Sequence, residues 1–349
     1  MSDFTPECNN TTQQQQGRFP RVDLTAPKEV NLPIIRNACL DLGFFTVVNS
    51  SITEEDIESA RSVAREFFQL PIANKSEYPL TFAGGELFGY AAIGAESADV
   101  ANVSLTGDTA PPDLMESFQV ADVDRVENNF PLVTMKTELE AMYKKKQDTC
   151  QQILTLIAES LDLAPDFFTK EHFSDKHRSI LRVTRYPALK ACTSARGAGV
   201  SRISPHQDIG TITLLSQDMC GGLEVLERKA EGCGGGDGGE GHWLAVPPEA
   251  GSMVVNIGNL LMRWTNYSYR SSVHRVVSTP NSDDEERISV IFFANPNDKS
   301  VVQPVPSTVT ACAPAAYEPH TVEAYLSCKF TQLFDPDARQ LKGACRFDD

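Results

Sequence analysis

The chain has 349 residues, enough for one large or two small domains and for a sizeable buried core. Its 31 Lys and Arg against 47 Asp and Glu leave a formal charge of −16, which argues against a nucleic-acid backbone or an anionic membrane as the main partner. Hydrophobic residues at 41% and charged residues at 22% are those of an ordinary soluble chain and exclude global disorder or a fibrous repeat.

Residues 1–17 are polar, Gln-rich and aperiodic and read as a disordered tail, without the basic start and apolar core of a secretory signal. No run of roughly 18 apolar residues follows, so a cytoplasmic location is expected. The nine Cys are odd in number, scattered and free of CxxC pairs, which disfavours a disulfide framework or a thiolate zinc site and leaves most expected to be reduced.

Val22 and Leu24 alternate with Arg21 and Asp23 as in a short strand. Ile34, Ile35, Ala38, Cys39 and Leu42 then recur at helical spacing, and Gly43 ends that helix. Phe44, Phe45, Val47 and Val48 make a buried strand, and Thr53-Glu54-Glu55-Asp56 has the N-cap chemistry of a helix running to about Leu70. A long helix is predicted over Lys136 to Leu163 from the spacing of Leu139, Tyr143, Cys150, Ile153, Leu154, Ile157 and Leu161. After residue 178 the pattern changes to short apolar runs at 180–186, 211–216, 222–227, 243–246, 252–257, 272–277 and 287–293. With Gly, Pro and Asn turns between them, these predict a sandwich or jelly roll rather than a parallel sheet. The expected plan is a helical first half and a β second half.

Gly232 to Gly241 holds seven of the 22 Gly in ten positions and reads as a flexible hairpin loop, because the Lys and following helix of a phosphate-cradling loop are missing. The run Tyr325 to Phe334 has helical periodicity and either lids a site or docks on the N-terminal helices.

Chemistry concentrates in a few of the six His. His206-Gln207-Asp208 opens a strand-like run, and residues two apart on a strand share a side. With His274, from a second β-run, the pair would complete a 2-His-1-carboxylate face for non-haem Fe(II). Beyond them, Arg287 and Ser289 share a face at the head of RISVIFFANP and could hold a carboxylate.

GFFTVVNSSI, FFQLPIANK, GYAAIGAE, DLMESFQV, LRVTRYP, HQDIGTITLLSQD, GGLEVL, VVNIGNLLMRWTN, SSVHRVV and RISVIFFANPN occur in this order. In order and content the chain resembles the Fe(II)/2-oxoglutarate-dependent dioxygenases of the isopenicillin N synthase-like family over nearly its whole length. That resemblance implies an α+β fold with a double-stranded β-helix (jelly-roll) core and N-terminal and supporting helices. It also implies one integrated catalytic unit, with an N-terminal region over 18–135 and a jelly-roll region over 136–349. The ligands it implies are His206, Asp208 and His274 for iron, with Arg287, Ser289 and Tyr186 for the far carboxylate of 2-oxoglutarate. Thr184 and Asn259 depart from the family's usual Asn and Asp.

By family position, substrate residues would come from Tyr90, Glu96, Phe118, Arg202, Arg270 and Phe293. For Tyr90, Phe118 and Phe293 ordinary core packing stands as the alternative, and for Arg270 a surface charge. The implied activity is oxidative decarboxylation of 2-oxoglutarate coupled to hydroxylation, desaturation or ring closure of a small molecule in specialised or nucleobase metabolism. Fe(II), 2-oxoglutarate and O2 are the implied cofactors, ascorbate a supporting reductant, and a monomer the expected state. A kainoid synthase-type cyclase of amino-acid-derived substrates, an Fe(II) oxidase independent of 2-oxoglutarate, and a catalytically dead receptor remain alternatives.

Overall fold

The computed structural model describes residues 18–83, 85–96, 113–191, 201–227, 241–280, 284–334 and 347. The tail at 1–17 and residues 232–240 of the Gly-rich segment lie outside the described residues. Strand β1 (Arg21–Asp23), helix α1 (Lys28–Asp41) and strand β2 (Phe44–Val48) come first. Gly43 ends α1 as expected, with φ at +70°, and a Cβ there would lie 1.9 Å from the carbonyl oxygen of Arg270.

Helix α2 (Glu54–Phe68) opens on a capping box. Thr53 Oγ1 accepts from the Asp56 N–H at 3.2 Å, and the Asp56 carboxylate accepts from the Thr53 N–H at 2.9 Å. After a one-turn helix α3 (Ile72–Lys75) come β3 (Thr81–Ala83), β4 (Glu86–Ala91) and β5 (Glu116–Val120). These strands correct the expectation of a helical first half. In β5, ESFQV, all five residues are buried, so neither alternation nor an apolar run marks the strand.

Helix α4 (Val133–Ser160) begins and ends three residues before its predicted bounds. It is followed by β6 (Ile180–Tyr186), β7 (Ser201–His206), β8 (Ile212–Gln217), β9 (Leu223–Glu227), β10 (His242–Ala245) and β11 (Met253–Ile257). Helix α5 (Asn259–Trp264), β12 (His274–Val277), β13 (Arg287–Ala294), β14 (Val301–Val302), β15 (His320–Thr321) and α6 (Val322–Phe334) complete the order. Nine strands form one sheet, β1-β2-β11-β8-β13-β6-β5-β4-β3, and four form a second, β10-β9-β12-β7. Together they make the jelly-roll core of an α+β fold, as expected from the sequence.

Period-two alternation divides the large sheet into two faces. Leu181, Val183, Leu214, Val255, Val290 and Phe292 pack with Ile57 and Phe67 of α2 and with Leu139, Tyr143 and Ile153 of α4 in the main core. The intervening residues Tyr186, Leu215, Val254 and Ile291 join Leu223, Val225 and Val276 of the small sheet in a second cluster. The stripe of the long helix thus covers the outer face of the large sheet, and the inner face is left for a cavity.

Helix α4 also buries Lys146 completely. Its Nζ donates to Leu214 O and Val290 O at 3.2 Å and to Ser216 Oγ at 2.8 Å, one acceptor for each N–H. Burial, helped by the charge of Arg61, pushes its amine down to about 7. Cys39, Cys150, Cys220 and Cys312 are free thiols, whereas Cys328 is disulfide-bonded, an exception to the reduced set expected. Among the described residues no helix is long and apolar enough to cross a membrane.

Two substitutions test these local constraints. Thr53→Ala removes one cap and is expected to cost about 1 kcal/mol, while Gly43→Ala meets both a positive φ and a backbone clash and should cost more. Urea unfolding of both variants checks the order, and a smaller loss for Gly43→Ala would contradict the close approach to Arg270.

Candidate active site

Strand β12 runs antiparallel to β7, with His274 directly opposite His206. The two rings lie 4.3 Å apart between centroids. His206 ends a strand rather than opening one, which corrects the sequence reading, and Asp208 lies in the connection to β8. An unbroken strand would carry positions 206 and 208 about 6.6 Å apart. The turn instead brings Asp208 Oδ1 to 3.8 Å from His206 Nε2 and Oδ2 to 3.8 Å from His274 Nε2.

One ligand atom from each residue lies within 4.8 Å of the others, a spacing too long for hydrogen bonds and suited to a shared cation. The tautomers agree with this. His206 Nδ1 donates to Ser204 O at 2.8 Å and His274 Nδ1 to Ser272 O at 3.1 Å, which leaves both Nε2 lone pairs facing the cluster. Asp208 Oδ2 accepts from Thr213 Oγ1 at 2.6 Å and from Asn256 Nδ2 at 2.7 Å. Burial opposes ionisation of Asp208, but the adjacent imidazoles and these two donors hold its carboxyl below the usual range. Burial and the neighbouring His274 hold His206 below the usual histidine value and therefore neutral, the form that ligates a metal.

The turn at 207–211 is gripped from two sides. The N–H groups of Gly258, Asn259 and Leu260 donate to Thr211 O, Asp208 O and Gly210 O at 2.9, 2.8 and 3.0 Å. A Cβ at Gly258 would lie 2.2 Å from Gly210 O, so glycine is required there, whereas Asn259 acts on the turn through its backbone. On the other side His172 donates from Nδ1 to Phe168 O at 2.6 Å and accepts at Nε2 from Thr211 Oγ1 at 2.9 Å.

Strand β13 pairs with β6 so that Arg287 faces Tyr186 and Ser289 faces Thr184. The Arg287 guanidinium is buried, stacks 4.8 Å over the Tyr186 ring, and donates to Gly221 O at 2.9 Å, Ser289 Oγ at 2.5 Å and Gln217 Oε1 at 3.2 Å. Thr184 Oγ1 and Gln217 Nε2 beside it are buried without a hydrogen-bond partner. A buried cation ringed by unused polar atoms fits the distal carboxylate of a bound dicarboxylate.

His206, Asp208, His274, Tyr186, Arg287 and Ser289 line one cavity of about 190 Å³. Glu96 and Phe293 also line it, as do Arg182, Gln119, Met115 and Phe330, which sequence reasoning missed. Phe330 shows that α6 both closes one side of the cavity and packs into the main core. Four expected substrate residues are placed elsewhere.

Tyr90 pairs with Phe118, and Phe118 with Val183, on the face covered by helices. Tyr90 donates to Glu116 Oε2 at 2.6 Å, and Phe118 meets Phe67 edge-on at 5.2 Å. Arg202 is buried, donates to Pro187 O and stacks on the Tyr186 ring at 5.6 Å, a structural role outside the cavity lining. Arg270 is exposed and holds Cys39 O through its backbone N–H at 2.9 Å.

The chain matches the 2OG-Fe(II) oxygenase superfamily over residues 179–296 and the N-terminal region of the non-haem dioxygenase in morphine synthesis over 19–135. It is 31% identical over 310 residues to the 2-oxoglutarate-dependent dioxygenase frbA of Dothideomycetidae sp. (strain 11243), covering 84% of this chain and 88% of that one. A putative 2OG-Fe(II) oxygenase family protein of Caulobacter crescentus shares the fold with a TM-score of 0.74 and 27% identity, covering 90% and 99% of the two chains. A full-length Neurospora crassa protein, solved in complex with alpha-KG and thymine, does so with a TM-score of 0.71 and 26% identity, covering 88% and 95%. The chain belongs to the 2OG-Fe(II) oxygenase superfamily. It is accordingly a 2-oxoglutarate-dependent dioxygenase that uses Fe(II), 2-oxoglutarate and O2 and acts on a small molecule.

His172 generates a pH prediction. Burial pushes its imidazole down to about 3. Below about 6.5 the unfolded chain therefore takes up a proton that the folded one refuses, and stability falls as pH falls through the window from 6.5 to about 3, by at most roughly 1.4 kcal/mol per unit. Urea unfolding at pH 7, 6 and 5 should show a shallower decline for His172→Gln than for the wild type.

Proposed function

We propose that His206, Asp208 and His274 hold Fe(II) and that Arg287, Ser289 and Tyr186 hold the far carboxylate of 2-oxoglutarate, with residues 18–135 and 136–349 acting as one catalytic unit. The observation that carries this is the pair of outward-tied imidazoles and the singly freed Asp208 oxygen converging within 4.8 Å, in the same cavity as a buried guanidinium. Bound iron with 2-oxoglutarate and O2 supplies oxidative decarboxylation and oxidation of a substrate C–H bond.

The protein's own groups supply position and charge. Thr213 and Asn256 orient Asp208, the Ser204 and Ser272 carbonyls orient the imidazoles, and Arg287 meets a carboxylate that would be costly to bury alone. Leu87, Ile180, Ile203 and Phe293 exclude water around the substrate. The substrate class stands between nucleobase-like and specialised-metabolite molecules. Ascorbate would sustain turnover by keeping the iron ferrous, and a cytoplasmic monomer completes the reading.

His206→Ala or Asp208→Ala should abolish iron-dependent succinate formation, and full activity in either variant would falsify the ligand assignment. Asn256→Ala should leave a folded protein whose Fe(II) affinity is weaker by about 10- to 100-fold, read by anaerobic titration. Arg287→Met should raise the KM for 2-oxoglutarate far more than it changes iron affinity.

A further inference from the structure

One wall of the cavity carries a polar cluster that neither iron nor 2-oxoglutarate employs in the assignment above. Gln119 of β5 faces Arg182 of β6 in register, and Glu96 reaches both. Arg182 Nη2 donates to Glu96 Oε2 at 2.7 Å, Ser117 Oγ donates to the same oxygen at 2.8 Å, and Gln119 Nε2 donates to Glu96 Oε1 at 3.0 Å. Met115 Sδ lies 3.4 Å from Arg182 Nη2. The two charged side chains are only 15% and 14% exposed, so they are paired with one another rather than solvated.

The pair does not saturate its members. Arg182 Nε is buried without a partner, and Glu96 Oε1 accepts one hydrogen bond where a carboxylate oxygen can take two. Glu96, Arg182 and Gln119 all line the cavity, so the guanidinium, the acceptor capacity left on Glu96 and the Gln119 amide stand together on a wall that is otherwise apolar, among Leu87, Met115, Ile180, Ile203, Phe293 and Phe330. We propose that the Glu96–Arg182 pair, with Gln119, is the specificity element of this cavity. It selects a neutral molecule with an amide-type edge, a carbonyl oxygen beside an N–H as in an amide, lactam or imide, on a mainly apolar frame, in preference to a carboxylate.

Charge decides between the two classes. A ferrous ion, Asp208, the two carboxylates of 2-oxoglutarate and Arg287 sum to zero, and the Glu96–Arg182 pair adds nothing. A neutral guest keeps that balance. A carboxylate would bring an uncompensated charge into the cavity, next to Glu96, and would have to displace Glu96 to reach Arg182. The donor–acceptor edge repays its own desolvation only if the guest offers the complementary edge, which is why such sites discriminate strongly.

This inference rests on the oxygenase reading, and the experiment separates the two. Anaerobic protein with Fe(II) and 2-oxoglutarate is first checked for its visible charge-transfer band, whose absence in the wild type would overturn the cofactor assignment instead. Matched pairs of compounds, each an amide, lactam or imide and its carboxylic-acid counterpart on the same frame, are then titrated and read as perturbation of that band. The wild type should bind the amide member at least about tenfold more tightly. Glu96→Gln, which leaves Arg182 unpaired, should reverse the preference by a similar factor.

Retention of the band reports that the variant is folded. If Glu96→Gln loses it, Arg182→Gln is read instead and should shift preference toward protonated amines facing the unpaired Glu96. Equal or tighter binding of carboxylates by the wild type, no response to any amide-type compound, or an unchanged preference in the folded variant overturns the proposal.

Discussion

The site depends on one backbone register, the antiparallel pairing of β7 with β12 that sets His274 opposite His206. A slip of β12 by one residue would turn His274 to the face of the small sheet opposite His206 and part the two imidazoles. The turn after His206 then has to return Asp208 toward the same point. Three backbone hydrogen bonds from 258–260 and the hydroxyl of Thr211, held by His172, keep it there. The three side chains are therefore brought together by main-chain geometry, and the hydrogen bonds to Ser204 O and Ser272 O and from Thr213 and Asn256 settle only their orientation.

The same alternation governs the large sheet. Along β6, Leu181 and Val183 face the helices, while Ile180, Arg182 and Tyr186 face the cavity. Along β13, Val290 and Phe292 face the helices, and Arg287, Ser289, Ile291 and Phe293 face the cavity. Polar residues occur on both faces but are treated differently. On the helix side Glu116 is satisfied by Lys75 at 2.6 Å, Arg185 at 2.8 Å and the Tyr90 hydroxyl, which closes that network to outside partners. On the cavity side Arg287, Thr184 and Gln217 retain unused capacity. A buried guanidinium with capacity to spare on the cavity face, unlike the closed Glu116 network on the other, marks where an anionic ligand fits.

What was legible in the sequence follows from the range of the information. His206 with Asp208 and Arg287 with Ser289 are close pairs along the chain, and the apolar runs around them announce strands, so their convergence on one cavity could be read without knowing the sheet order. The path of the backbone at Asp208 could not, because Pro205 interrupts the strand pattern just before the turn. For Tyr90 and Phe118 the sequence leaves core packing and cavity lining both open. Whether they face helices or cavity depends on the pairing of β4, β5 and β6, a relation between segments far apart in the chain. The same dependence hid Arg182 and Gln119, which carry no signal on their own strands and meet only across β5 and β6. Arg202 and Arg270 show the limit of reading a charge near a motif as a charge in a site.

Register also separates two tasks within the fold. The metal cluster is carried by β7, the turn before β8, and β12, and is braced from β8 and β11. The polar wall is built by Glu96, β5 and the near end of β6, where the N-terminal strands extend the sheet beyond the jelly roll. No hydrogen bond among the described residues joins Glu96 or Gln119 to a residue holding Asp208 or an imidazole, so the wall can change chemistry while the metal cluster keeps its geometry. A buried cation that loses its partner costs about 3–5 kcal/mol, and that penalty couples Glu96 to Arg182 more tightly than to anything else in the cavity. A single change at this wall therefore leaves one charge without its partner and so alters the edge that a substrate must present.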